Sequence, residues 1–116
     1  MHAQQLLWRT EKYRVMYHSQ THYNQIRLLM RDGCTLETLQ KTIDEATALT
    51  PTDGSRRNAL QHMWGYFKKC ATVDEKAHYL ALLEAADWQA VRLWLALLAK
   101  RYHIRYLQQS TILHQD

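Results

Sequence analysis

Proline occurs once in this chain of 116 residues and glycine three times. An all-β domain needs a turn about every 8–12 residues and draws on Gly, Pro, Asn and Asp to make it, so this scarcity argues against a sandwich or a barrel. With 47% hydrophobic residues, the chain is also too apolar for a linker or a disordered tail. Cysteine is found only at Cys34 and Cys70. The absence of a Cys-x-x-Cys pair excludes a zinc knuckle or a cysteine-held iron–sulfur cluster built within one chain. Both thiols are expected to be small buried hydrophobes in a reducing compartment. Long apolar runs are missing too: the longest, Leu93 to Ala99, has seven residues, where a membrane-crossing helix takes about 18 or more. The opening Met-His-Ala-Gln-Gln lacks the basic region and apolar stretch of a secretory leader, which makes the cytoplasm the expected address.

Several chemical signatures are absent as well. There is no Gly-rich phosphate loop, no Ser-His-Asp arrangement and no hydrolase elbow. Of the seven histidines, His18 and His22 are four apart, but Ser19-Gln20 is expected to break the helix between them. Neither a metal nor a cofactor is therefore expected.

What the sequence does have is the helical period, repeated along its length, and the expected fold is all-α: one compact bundle of about five to seven helices in a single domain over residues 1–116. A first helix runs from about Gln4 to Tyr17. Ser19-Gln20-Thr21 caps a second from about His22 to Arg31, closed by Asp32-Gly33. Thr35 caps a third, Leu36 to about Leu49, and the segment Thr50 to Ser55 reads as a loop, with Ser55 starting a fourth helix from about Arg56 to Cys70. Thr72-Val73-Asp74-Glu75 is a capping box that opens a fifth helix, ending near Ala86. Asp87 caps a sixth, Trp88 to about Tyr102, and Ile104 to Ile112 forms a short terminal turn or helix. Leu60, Met63, Trp64 and Phe67, like Val91, Trp94, Leu95, Leu98 and Tyr102, follow the spacing of a buried helix face.

The formal net charge of +4 conceals a segmental pattern. Residues 1–31 carry Arg9, Lys12, Arg14, Arg27 and Arg31 against Glu11; residues 32–55 are predominantly acidic; residues 56–69 carry Arg56, Arg57, Lys68 and Lys69 with no acid. If the basic segments share a face, that face suits phosphate backbones, and binding there should weaken with salt. On the fourth helix Arg57, Gln61 and Lys68 fall on one side, with Trp64 at its margin. Asn58, His62, Tyr66 and Lys69 recur as a polar stripe beside the apolar face, while Lys12, Tyr13, His18, Ser19 and Tyr23 crowd the first segment. Polar groups beside a core need partners in the protein or in a ligand. Gly65 lies within the stripe and is expected to admit a close helix crossing.

These two segments carry a family resemblance. Lys12-Tyr13-Arg14-Val15-Met16-Tyr17-His18-Ser19-Gln20, followed by Tyr23, resembles the amino-terminal motif of the YbgA-like domain. Asn58-Ala59-Leu60-Gln61-His62-Met63-Trp64-Gly65-Tyr66-Phe67-Lys68-Lys69, with Asp74-Glu75-Lys76 after it, resembles that family's second motif. The likeness extends from about Leu7 to Gln109. Trp8 stands where relatives often have His, and Ala85-Ala86-Asp87-Trp88 replaces a Pro-rich hinge. The resemblance implies an all-helical domain, found alone or joined to an iron–sulfur desulfidase domain that removes sulfur from thiolated uracil, and helping to hold transfer RNA that carries 4-thiouridine.

The leading expectation is an RNA-binding module, for transfer RNA, associated with thiolated or modified nucleobases. Arg9, Lys12, Arg14, Arg56, Arg57, Lys68 and Lys69 would contact phosphates, and Tyr13, His18, Ser19, Asn58, Gln61, His62 and Tyr66 would line a recess. A separate desulfidase chain is a further expected partner. Two other classes stay open: a metal-independent enzyme using His62 or His18 as acid–base on a modified or damaged nucleobase, and a helical adaptor whose cationic side meets an acidic protein.

Overall fold

In the computed structural model, which describes residues 2–114, the chain forms seven α-helices and two 3₁₀ turns, with no strand among the described residues. The α-helices are α1 (His2–His18), α2 (Gln20–Asp32), α3 (Leu36–Thr47), α4 (Asp53–Trp64), α5 (Val73–Glu84), α6 (Trp88–Arg101) and α7 (Arg105–Gln108). The 3₁₀ turns, Gly65–Phe67 and Thr111–His114, follow α4 and α7. None of these helices is long and apolar enough to cross a membrane.

Capping side chains decide most boundaries. Ser19, with extended backbone, breaks the chain between α1 and α2 and accepts a hydrogen bond from the His22 N–H at 3.2 Å. Gly33 closes α2 at φ 82°, a left-handed conformation that favours glycine. Thr35 caps α3. The fourth helix begins earlier than its sequence suggests, because Thr52 is its cap: the Thr52 N–H donates to Ser55 Oγ at 2.9 Å and the Ser55 N–H donates to Thr52 Oγ1 at 3.0 Å. Ser55 is thus the return arm of a capping box rather than the start of the helix. The Thr72–Glu75 box at the head of α5 forms as its sequence suggests.

α4 also ends earlier than expected, at Trp64 rather than near Cys70. The chain tightens at Gly65 into a 3₁₀ turn that still buries Phe67 completely. A Cβ at Gly65 would meet nothing within 4 Å, so no helix crosses closely there and that expectation is corrected. Gly65 marks the change of winding instead. The cysteines are also corrected: Cys34 is only partly buried and Cys70, beyond the turn, is exposed. The terminal segment divides at Ser110, and Thr111 Oγ1 donates to the Thr10 carbonyl at 3.2 Å, docking the end of the chain on α1.

α1 is the spine and divides two cores. Val15 joins Ile26, Leu39, Ile43 and Ala46 beneath α2 and α3. Tyr13, Met16 and Tyr17 face the larger core, with Leu60, Met63, Phe67, Leu95, Leu98 and Ile112. Burial on two sides explains why the second half of α1 has no single apolar stripe. One buried acid lies within this frame: Glu75 accepts from the Tyr102 hydroxyl, from the Thr72 N–H at 2.8 Å and from Arg101. These bonds, that of Tyr102 foremost, hold its carboxyl down at about 2.

Candidate nucleic-acid interface

The two motif segments meet because α1 packs along α4. Ser55 Oγ donates to the Tyr17 carbonyl at 2.8 Å, Asn58 Nδ2 donates to Gln20 Oε1 at 2.6 Å, and the Tyr13 and Tyr66 hydroxyls lie 3.2 Å apart. The seven residues expected to share one recess nevertheless occupy three places. The polar stripe assumed a continuous helix through Cys70, and the 3₁₀ turn carries Tyr66 and Lys69 out of that register.

The first place is an aromatic cluster. The rings of Tyr66 and Tyr106 stack at 5.8 Å, and both meet Tyr13 edge-on, at 6.4 and 6.2 Å. Trp8 and Tyr23 form a second pair at 5.7 Å. Two cations join these rings. The Arg9 guanidinium lies 5.5 Å from the Tyr106 ring centre, and Lys12 Nζ lies 5.6 Å from that of Tyr13 and 6.0 Å from that of Tyr23. Tyr66 keeps 40% of its surface exposed. Burial, together with the Tyr66 hydrogen bond, pushes the Tyr13 phenol up, and burial does the same to Tyr106. Among the described residues neither Arg9 nor Lys12 makes an ion pair, so both charges are left unneutralised.

The second place is a groove of about 680 Å³ that brings together His18, Ser19, Asn58 and His62. Most of its polar groups already have partners. His18 Nδ1 lies 2.7 Å from the Leu49 carbonyl, Ser19 Oγ lies 2.7 Å from His22 Nδ1, and Asn58 is held by Gln20. His62 is exposed. The third place, between α4 and α5, takes Gln61 and Lys68 to a groove of about 490 Å³ with Trp64, Lys76 and Tyr79. Trp64 has one face covered by Tyr79, stacked at 4.2 Å and 5°. The Tyr79 hydroxyl is buried without a partner, and burial pushes its pKa up to about 12.

The basic residues are likewise distributed. Arg9 and Lys12 border the tyrosines; Arg14 is tied to Glu11 at 3.2 Å and Arg56 to Asp53 at 3.2 Å. Arg57 lies over Trp88 at 5.5 Å, Lys68 is in the α4–α5 groove, and Lys69 is exposed.

The sequence profile of a family described as "Protein of unknown function (DUF1722)" matches residues 12–116, taking in both motif segments. The chain belongs to the DUF1722 family. This is the family whose YbgA-like motifs the sequence resembles. Comparison with curated proteins and with solved structures returns no match. In this DUF1722 chain, sequence reasoning missed Tyr106, Trp88 and Arg92. Tyr106 lies outside both motifs and joins the cluster only through tertiary packing. Arg92 had a readable signal, as the one charged residue between Trp88 and Ala99.

Proposed function

We propose that this DUF1722 chain binds RNA at an unstacked or looped segment, through the tyrosines that Arg9 and Lys12 border. The supporting observation is the half-exposed Tyr66, backed by Tyr106 and Tyr13, with two cations at the rings' margin. An aromatic face beside cations is what single-stranded nucleic acid requires: the ring takes a base by stacking and the cations take the backbone. Transfer RNA carrying a thiolated base is the class that the family resemblance suggests.

The test is a mobility shift with transfer RNA at low and at physiological salt. Binding should weaken as salt rises, through counterion release. Tyr66→Ala should cost about 1–3 kcal/mol if one base stacks there, and Arg9→Ala with Lys12→Ala should reduce the salt slope. No retardation even at low salt would refute the reading.

A further inference from the structure

A different groove, of about 380 Å³, lies where the end of α1 and the start of α4 meet the start of α6. Arg56 and Arg92 line it with Tyr17, His18 and Trp88. Arg92 is the unusual member. Its Nη1 donates to the Tyr17 hydroxyl at 2.6 Å and its guanidinium lies 5.4 Å from the Tyr17 ring centre, yet its Nε is buried with no hydrogen-bond partner. Among the described residues Arg92 makes no ion pair. A partly buried guanidinium without a counter-charge is unfavourable.

Two carboxylates are close, and neither answers Arg92. Asp53 pairs with Arg56 from an exposed position, and Asp87 lines the groove but caps α6, accepting from the Ala90 N–H at 3.2 Å. We infer that this groove binds a phosphate monoester, through the guanidinium groups of Arg56 and Arg92. Guanidinium forks match phosphate oxygens in pairs, and a monoester carries close to two negative charges at neutral pH. Such a phosphate has two chemical sources, the 5′ end of an RNA strand or a free mononucleotide. The inference rests on the arginines and not on the tyrosine cluster.

Calorimetry with 5′-AMP, with adenosine, and with one RNA dodecamer in 5′-phosphate and 5′-hydroxyl forms tests it. AMP should bind at least ~10-fold more tightly than adenosine, and Arg56→Gln should weaken AMP about 10-fold while leaving the melting temperature unchanged. Arg92→Lys should abolish the phosphate preference; if that variant does not fold, Arg56→Gln carries the test. An affinity gain for the phosphorylated dodecamer identifies an RNA end as the source. Its absence, with AMP still bound, identifies the free nucleotide. If the dodecamer and transfer RNA fail to bind while AMP binding depends on Arg56, the groove stands and the tyrosine reading falls. Equal binding of AMP and adenosine, or AMP binding unaffected by Arg56→Gln, overturns the inference.

Discussion

Arg92 and Arg101 lie on the same helix, about two and a half turns apart, and have nearly the same surroundings. Each donates Nη1 to a side chain below it and holds its guanidinium near an aromatic ring, Tyr17 at 5.4 Å for Arg92 and Trp94 at 5.9 Å for Arg101. Arg101, though half exposed, is answered by the Glu75 carboxylate. Arg92 meets only a phenol and leaves a buried N–H unsatisfied. The contrast separates a cation whose charge is used up within the fold from one whose charge is left over. The first ties α5 to α6, and the second is available to a ligand.

The largest effect expected around this pair belongs to neither arginine. Leu95 lies between them on α6 and is fully buried, so Leu95→Ala should cost about 2–5 kcal/mol in urea unfolding and sets the scale for the rest. Next comes the acid response of Glu75. Its carboxyl is held at about 2 against an ordinary 4.5, so the folded state binds the proton less readily than the unfolded chain. The resulting stabilisation is complete above the ordinary value and is lost as pH falls from there toward 2. Glu75→Gln should flatten the melting temperature over that window, and Arg101→Met should lower it by several degrees at neutral pH; an unchanged acid profile in Glu75→Gln would break the comparison.

The matching change at the other arginine should have the opposite sign. Arg92→Met made together with Tyr17→Phe removes the uncompensated cation and the phenol it bonds, and should raise stability by about 1 kcal/mol. A loss of similar size would show that Arg92 is structural, like Arg101. The smallest effect is a control away from the groove. His103 follows the end of α6 at φ 55°, where a Cβ is strained, so His103→Gly should stabilise by up to about 1 kcal/mol and leave AMP affinity unchanged.

Much of the architecture was legible in the sequence because it is written in local chemistry. Thr35, Asp87, Asp32-Gly33 and the Thr72–Glu75 box are helix signals readable over four or five residues. The errors came from signals that compete locally. Thr52 and Ser55 are both good caps, and the reciprocal hydrogen bonds between them, with the one from Ser55 to the Tyr17 carbonyl on α1, show how they divide the work. Spacing alone places the end of α4 too late, because Phe67 fits the helical period yet is buried from a 3₁₀ turn.

The candidate site was less legible. Asn58, His62, Tyr66 and Lys69 form one stripe only on a helix that runs through Gly65, and α4 ends before it. Tyr13 and Tyr66 belong to different motifs and Tyr106 to neither, so no spacing joins them.

By itself, then, the sequence determined that the chain is helical, where most helices begin, and which segments carry excess positive charge. Those properties depend on backbone hydrogen bonds and side-chain period within a few residues. Only the tertiary structure decided which charges are answered. Whether Arg101 meets Glu75, or Arg92 meets nothing but Tyr17, depends on how α6 lies against α5 and α1. A carboxylate neutralises an arginine by distance in space, and separation along the chain carries no record of it.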